Sequence, residues 1–217
     1  MKNLLYKEFR LAKHPTMFFF PLFASMLLIP AYPYEVAFFY TCLEIFFIFQ
    51  YGRETKDVFF TVLLPVKKRD VVKARCWMMV CIELFQLIVS IPFALLNARL
   101  YASTGGNMAG MDANVAFFGF MLVMYGLFNL LYLSVFYKDA YRAGRAFFAG
   151  CAGILLYIGL VELAVQAVPP LKAALDTLAP AAQLRQIPVL LGGAALFALL
   201  TLLGYKRAAA RFENVDL

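Results

Sequence analysis

Long apolar runs alternate along this chain with short, mostly basic ones. Six runs approach the roughly 20 residues that a helix needs to cross a hydrocarbon core. They are Pro15–Tyr34, Val36–Gly52, Cys76–Ala98, Ala113–Tyr137, Ala146–Val168 and Gln186–Tyr205. The first, fourth and sixth carry no charged residue, and the second, third and fifth carry one each, Glu44, Glu83 and Glu162. A secretory signal is a poor account of the first run, which is long for an h-region, lacks an A-x-A site and is followed by five more. The pattern predicts an all-α, polytopic membrane protein with six transmembrane helices.

The basic residues give the direction. With the N-terminus in the cytoplasm, 17 of the 20 Lys and Arg fall on that side, leaving Arg99, Lys172 and Arg185 outside. This is the bias of the positive-inside rule, and it places both termini in the cytoplasm. Pro30-Ala31-Tyr32-Pro33 is too rich in proline to continue a helix and predicts a tight hairpin between the first two spans. Ser103 to Asp112 reads as a flexible outer loop. Leu171, Leu175 and Leu178 recur at helical spacing and predict a short helix on the outer surface. The N-terminal KNLLYKEFRLAK reads as a surface-anchored amphipathic helix, with Glu8 out of place on its apolar side.

Composition narrows the functional classes. Of 217 residues, 64% are hydrophobic and 15% charged, with mean hydropathy +0.77. That excludes an ordinary soluble enzyme and a disordered binding segment. The net charge of +7 does not indicate nucleic acid, because the basic residues lie between spans. Cys42, Cys76, Cys81 and Cys151 are scattered and His14 is the only histidine, so a zinc site and a disulfide framework are both unsupported. No GxxxxGK[ST] loop is present to cradle a nucleotide's phosphates. The 23 Phe and 12 Tyr are expected mainly against lipid and at the interface.

Residues 53 to 75, RETKDVFFTVLLPVKKRDVVKAR, carry the most information. A surface helix over about Glu54–Leu64 would group Phe59, Phe60, Leu63 and Leu64 on neighbouring turns until Pro65 stops it. Such an apolar patch has to be covered, by lipid or by a groove in a cytoplasmic protein. The run Leu64-Pro65-Val66-Lys67-Lys68-Arg69-Asp70-Val71-Val72-Lys73-Ala74-Arg75 resembles the segment joining spans two and three in ABC-2 (type V exporter) permeases. Lys7-Glu8-Phe9, the six-span count and the Tyr205-Lys206-Arg207 tail extend the resemblance over the whole chain. Its small size is similar to permeases exporting phenol-soluble modulins and lantibiotic-like peptides from bacteria. The resemblance implies a dimer of permeases in the bacterial cytoplasmic membrane, each bound to a separate ATP-hydrolysing subunit that holds ATP and Mg²⁺. It assigns docking of that subunit to Glu54, Lys56, Asp57, Phe59, Phe60, Leu63, Leu64 and Pro65. Lys138, Asp139 and Arg142 in a second cytoplasmic loop would make a smaller contact.

Carboxylates within spans are costly, by about 2.5–3.5 kcal/mol on insertion scales, and mostly face a bundle interior or a wet cavity. Glu44, mid-span, is the candidate lining of a translocation path, with Phe39, Tyr40 and Phe47 as aromatic walls and Glu162 further out. Such a path suits cationic amphipathic peptides. Glu83 is expected to pair with a basic neighbour such as Arg75. Small residues in the fifth and sixth spans, Gly150, Gly153, Gly192 and Gly193 among them, predict close helix packing. Two rival readings remain at this point. A membrane enzyme lacks its clustered acids, histidines or serines, and a proton-coupled carrier lacks an evident inverted repeat. An ABC-2 permease for a lipid or small-molecule drug is a third possibility.

Overall fold

The computed structural model describes residues 2–11, 17, 19–101, 106–139 and 142–215. It is all-α among those residues. Helix α1 spans Lys2–Leu11, α2 Glu35–Glu54, α3 Asp57–Val62, α4 Lys68–Tyr101, α5 Val115–Asp139, α6 Ala143–Ala167, α7 Pro169–Leu175, α8 Pro180–Arg185 and α9 Ile187–Glu213. Among the described residues four helices are long and apolar enough to cross a membrane: α4, α5 from Val115 to Lys138, α6 and α9. At 34 residues α4 is about 51 Å long, so its basic first turns project beyond any hydrocarbon core. The chain is a multi-pass membrane protein. Helix α2 has 20 residues and the right length, but Glu35, Glu44, Arg53 and Glu54 make it more polar than the other four.

The first apolar run does not form the continuous α-helix expected. Residues 15, 16 and 18 lie outside the described residues, and Phe20–Leu28 is a 3₁₀ helix of nine residues. At about 2.0 Å per residue that covers roughly 18 Å, short of a crossing. Its last carbonyls, which a 3₁₀ helix leaves unpaired, are met from α4. Asn97 donates from Nδ2 to the Leu27 carbonyl at 2.7 Å, and the Tyr101 hydroxyl donates to that of Leu28 at 3.2 Å. The turn over Pro30–Tyr34 follows as expected and leads into α2.

Helix α5 is the centre of the bundle, packed against α9 and α6. Glycines set the α5–α9 spacing. A Cβ on Gly193 would strike the Gly119 carbonyl, and one on Gly204 would come within 2.9 Å of the Asn129 carbonyl. Gly150 and Gly153 of α6 instead make room for the side chains of Phe128 and Leu131 on α5. The aromatics divide between the surface, as at Phe19, Trp77, Phe85 and Phe148, and the core. Phe38, Phe49, Phe117, Phe128, Tyr132 and Phe136 are fully buried between α2 and α5. There Phe38 meets Phe117 edge-on at 5.5 Å, and Phe49 meets Phe136 edge-on at 4.8 Å. Aromatic pairs of this geometry contribute beyond their area. The outward faces of α6 and α9, including Leu156, Leu163, Leu191 and Leu199, stay exposed and apolar, as lipid or a second chain requires.

The stretch read as a flexible outer loop is pinned from Gly106 onward, residues 102–105 lying outside the described set. The Met108 N–H donates to the Pro30 carbonyl at 2.7 Å, and the Asp112 N–H to Asp176 at 2.8 Å. Asn114 reaches the Leu175 carbonyl at 2.6 Å. The expected surface helix between the last two spans is present as two short ones, α7 and α8.

Candidate functional site

Helix α3 leaves α2 through a sharp bend. Lys56 sits in left-handed conformation at φ 53°, so the chain reverses between Glu54 and Asp57. The six residues of α3 are too few to hold a helix alone in water. Two buried or half-buried side chains fasten it. Asp57 accepts from Lys7 Nζ at 2.8 Å and from Arg75 Nη2 at 2.6 Å. Thr61, one turn on, accepts from the same Lys7 ammonium at 2.8 Å and donates to the Asp57 carbonyl at 2.7 Å.

Glu8 of α1 completes the cluster, accepting from Lys7 at 2.9 Å and forming an ion pair with Arg75, whose Nε lies 2.6 Å from Oε2. Arg75 is thus gripped from two sides, through Nε and Nη2 of its planar guanidinium. It also lies over the Phe49 ring, 5.1 Å from its centroid. Gly52 of α2 gives it room, since a Cβ there would sit 3.2 Å from Nη1. Two acids and two bases from α1, α3 and α4 cancel in charge where each is mostly shielded from water, and such a set holds when every member is paired. Glu8, out of place on a surface-anchored helix, is the residue that docks α1 onto the bundle. The pairing expected between Glu83 and Arg75 is not made. Eight residues separate them, about 12 Å along α4, and Arg75 is already engaged. Glu83 instead accepts from Asn129 Nδ2 at 2.9 Å, and that amide also reaches Thr201 of α9 at 3.1 Å.

What the mount leaves bare is the rest of α3 and the turn that follows it. Phe60 is 60% exposed and Leu63 68%, with Phe59, Leu64 and Pro65 also exposed. Glu54 and Lys56 are exposed at the preceding bend. The linker that follows is largely consumed internally. Lys68 donates to the Val215 carbonyl at 2.7 Å, and Arg69 to Glu213 at 2.9 Å, tying down the end of α9. Lys138 and Arg142 are exposed at the same end of the bundle; the side chain of Asp139 and residues 140–141 lie outside the described residues.

Of the residues expected to line a path, Tyr40 and Phe47 both meet Phe20 of the 3₁₀ segment, each at 6.2 Å. Phe39 faces Phe147 of α6 at 6.3 Å, and Tyr40 stacks on Phe23 at 4.2 Å. Glu162 lies at the far end, accepting from the Met111 N–H at 3.0 Å. Glu44 is buried beside Ile82 and Cys81 of α4. Among the described residues no group of three His, Cys, Asp or Glu is placed to hold a metal.

No curated protein and no solved structure matches the chain. The model of one family, described as ABC-2 family transporter protein, matches residues 3–206, nearly the whole chain. Permeases of this family generally pair with an ATPase subunit, and they lack the ATPase domain themselves. A multi-pass α bundle with an apolar ridge exposed at its basic end thus belongs, by its sequence, to the ABC-2 family of transporter membrane proteins.

Proposed function

We propose that this chain is the permease of an ATP-driven exporter and that α3 is the coupling helix on which a separate ATPase subunit docks. The observation that carries this reading is the contrast between the mount of α3 and its bare apolar residues. Asp57 locks α3 to α1 and α4, while Phe59 and Phe60 of α3 and Leu63 and Leu64 just beyond its end stay exposed. An exposed apolar ridge on a firmly mounted helix suits a groove in a protein, where a few anchors supply most of the affinity. A push on α3 would pass through Asp57 and Arg75 to α1, α4 and the Phe49–Phe136 column.

In this reading α2 also crosses the membrane, the 3₁₀ segment Phe20–Leu28 packs beside it, and both termini face the cytoplasm, as the basic residues favour. Two permeases form the working dimer in the bacterial cytoplasmic membrane, and ATP and Mg²⁺ belong to the ATPase partner. The cargo is a cationic amphipathic peptide, supported by the small outer loops and by Glu44 within the bundle. Co-purification tests the docking. Phe60→Asp and Leu63→Asp, being exposed, leave the purified permease folded and abolish recovery of the ATPase subunit co-expressed with it. Full recovery with both variants would remove the proposal.

A further inference from the structure

A cavity of about 440 Å³ runs between α4 on one side and α5 and α9 on the other. Leu84, Ile88, Ile91, Leu95 and Ala98 line it along one face of α4, at the three- and four-residue spacing of a single helix stripe. Ile88, Ile91 and Leu95 are exposed, so the cavity is a groove open on the side of the bundle. From Leu84 to Ala98 the helix rises about 21 Å, enough to cover one leaflet of a core about 30 Å thick. Asn114 and Gln183 line the end away from the basic face.

Two arginines stand at that end. Arg99 is one turn past Leu95 on α4, and Arg185 is two residues past Gln183 on α8. Both are exposed, and among the described residues neither has an ion pair. They are two of only three basic residues that fall on that side of the chain. Asp112, the acid nearest to Asn114 in sequence, is buried and accepts from the Asn107 N–H at 2.7 Å. Ala102, Ser103, Thr104 and Gly105, outside the described residues, bring no charge.

We infer that this groove holds one acyl chain of an anionic phospholipid in the leaflet opposite the basic end, with the headgroup phosphate against Arg99 and Arg185. Spread over the length of the stripe, the volume leaves a channel roughly 5 Å across. That admits an extended hydrocarbon chain and not a helix, whose diameter is about 10–12 Å. Burial of the chain against Leu84, Ile91 and Ala98 supplies affinity without direction, and the guanidinium groups, which suit phosphate oxygens, fix the headgroup end. The inference goes beyond the docking of α3 and rests on neither the ATPase subunit nor the cargo.

Native mass spectrometry of the delipidated full chain in detergent reads the binding, with lipids of identical dioleoyl chains. Phosphatidylglycerol fills one site per chain at a concentration about tenfold lower than phosphatidylcholine, as charge-assisted contacts to a net negative headgroup require. Lyso-phosphatidylglycerol, with a single chain, binds like the two-chain lipid, and glycerol phosphate, with none, does not compete. Arg99→Gln combined with Arg185→Gln removes the preference between headgroups. Ala98→Phe fills the groove and removes the site. Equal binding of the two lipids by the unaltered chain would overturn the inference with no variant needed, leaving non-specific annular lipid only. Undiminished binding of phosphatidylglycerol by Ala98→Phe would overturn it too, by placing the lipid elsewhere.

Discussion

At the basic end of the bundle the carboxylates of Glu8 and Asp57 are met by the side-chain cations Lys7 of α1 and Arg75 of α4. At the opposite end those of Asp112, Glu162 and Asp176 are met by backbone N–H groups of a loop, from Asn107, Met111 and Asp112. The first arrangement fixes helices to one another and leaves an apolar ridge standing clear. The second fixes a loop to itself and to neighbouring helices, closing that end with polar contacts. Each end also contains one left-handed residue, Lys56 at φ 53° in the first and Gly106 at φ 76° in the second. The difference teaches that charge at the basic end places a helix, while charge at the other end seals one.

The largest effect is expected from Arg75→Met. It leaves Glu8 and Asp57 sharing Lys7 as their one remaining cation in the cluster, and breaking a buried pair by removing one partner costs about 3–5 kcal/mol. Thermal unfolding in detergent should show the loss, and limited proteolysis should cut first near α3. An unchanged unfolding temperature would show that the cluster does not hold the two helices.

Next comes the pair of left-handed positions. Gly106→Ala adds a Cβ that collides with the Asp112 carboxylate in a conformation disfavoured by about 1–2 kcal/mol, so it destabilises by at least that much. Lys56→Gly removes the same kind of strain and should stabilise by up to about 1 kcal/mol after the added chain entropy is counted. Equal effects of both changes would erase the contrast between the ends.

The smallest effect is a pH dependence at the sealed end. Burial raises the Asp112 carboxyl above its ordinary value, the Asn107 N–H partly opposes this, and Asp176 adds to it. A carboxyl raised on folding favours the folded state when protonated. Its contribution is therefore full below the ordinary carboxylate pKa and is lost as pH rises through the raised value. Acidification should strengthen amide protection at Asn107 and Met108, and Asp112→Asn should flatten that dependence. Hydrogen exchange across the acid range measures both.

The four clear spans were legible because each is a run too apolar to stay in water, whatever its neighbours. The 3₁₀ segment was not, because its choice over an α-helix rests on Asn97 and Tyr101, some 70 residues away, meeting its last carbonyls. The exposed ridge of α3 could be read from Phe59 to Leu64 alone. Its mount could not, although one signal was present: Glu8 breaks the apolar side of α1, and a carboxylate there needs a cation. The partner of Glu83 was hidden for the opposite reason. Asn129 lies in an uncharged run and shows no sign in the sequence of facing an acid. Neighbours of Glu44 from the 3₁₀ segment and α4, such as Pro21 and Ile82, lie far from it in sequence and show no sign there of meeting it.

Site-specific photo-crosslinking from α3 tests the central claim most directly. A benzophenone amino acid at Phe60 or Leu63, in cells that also express the candidate ATPase subunits, should yield one crosslinked product containing an ATPase. The same group at Leu156, on the exposed apolar side of α6, should yield no ATPase product. Crosslinks from α3 to phospholipid alone, with the ATPases present, would contradict the account.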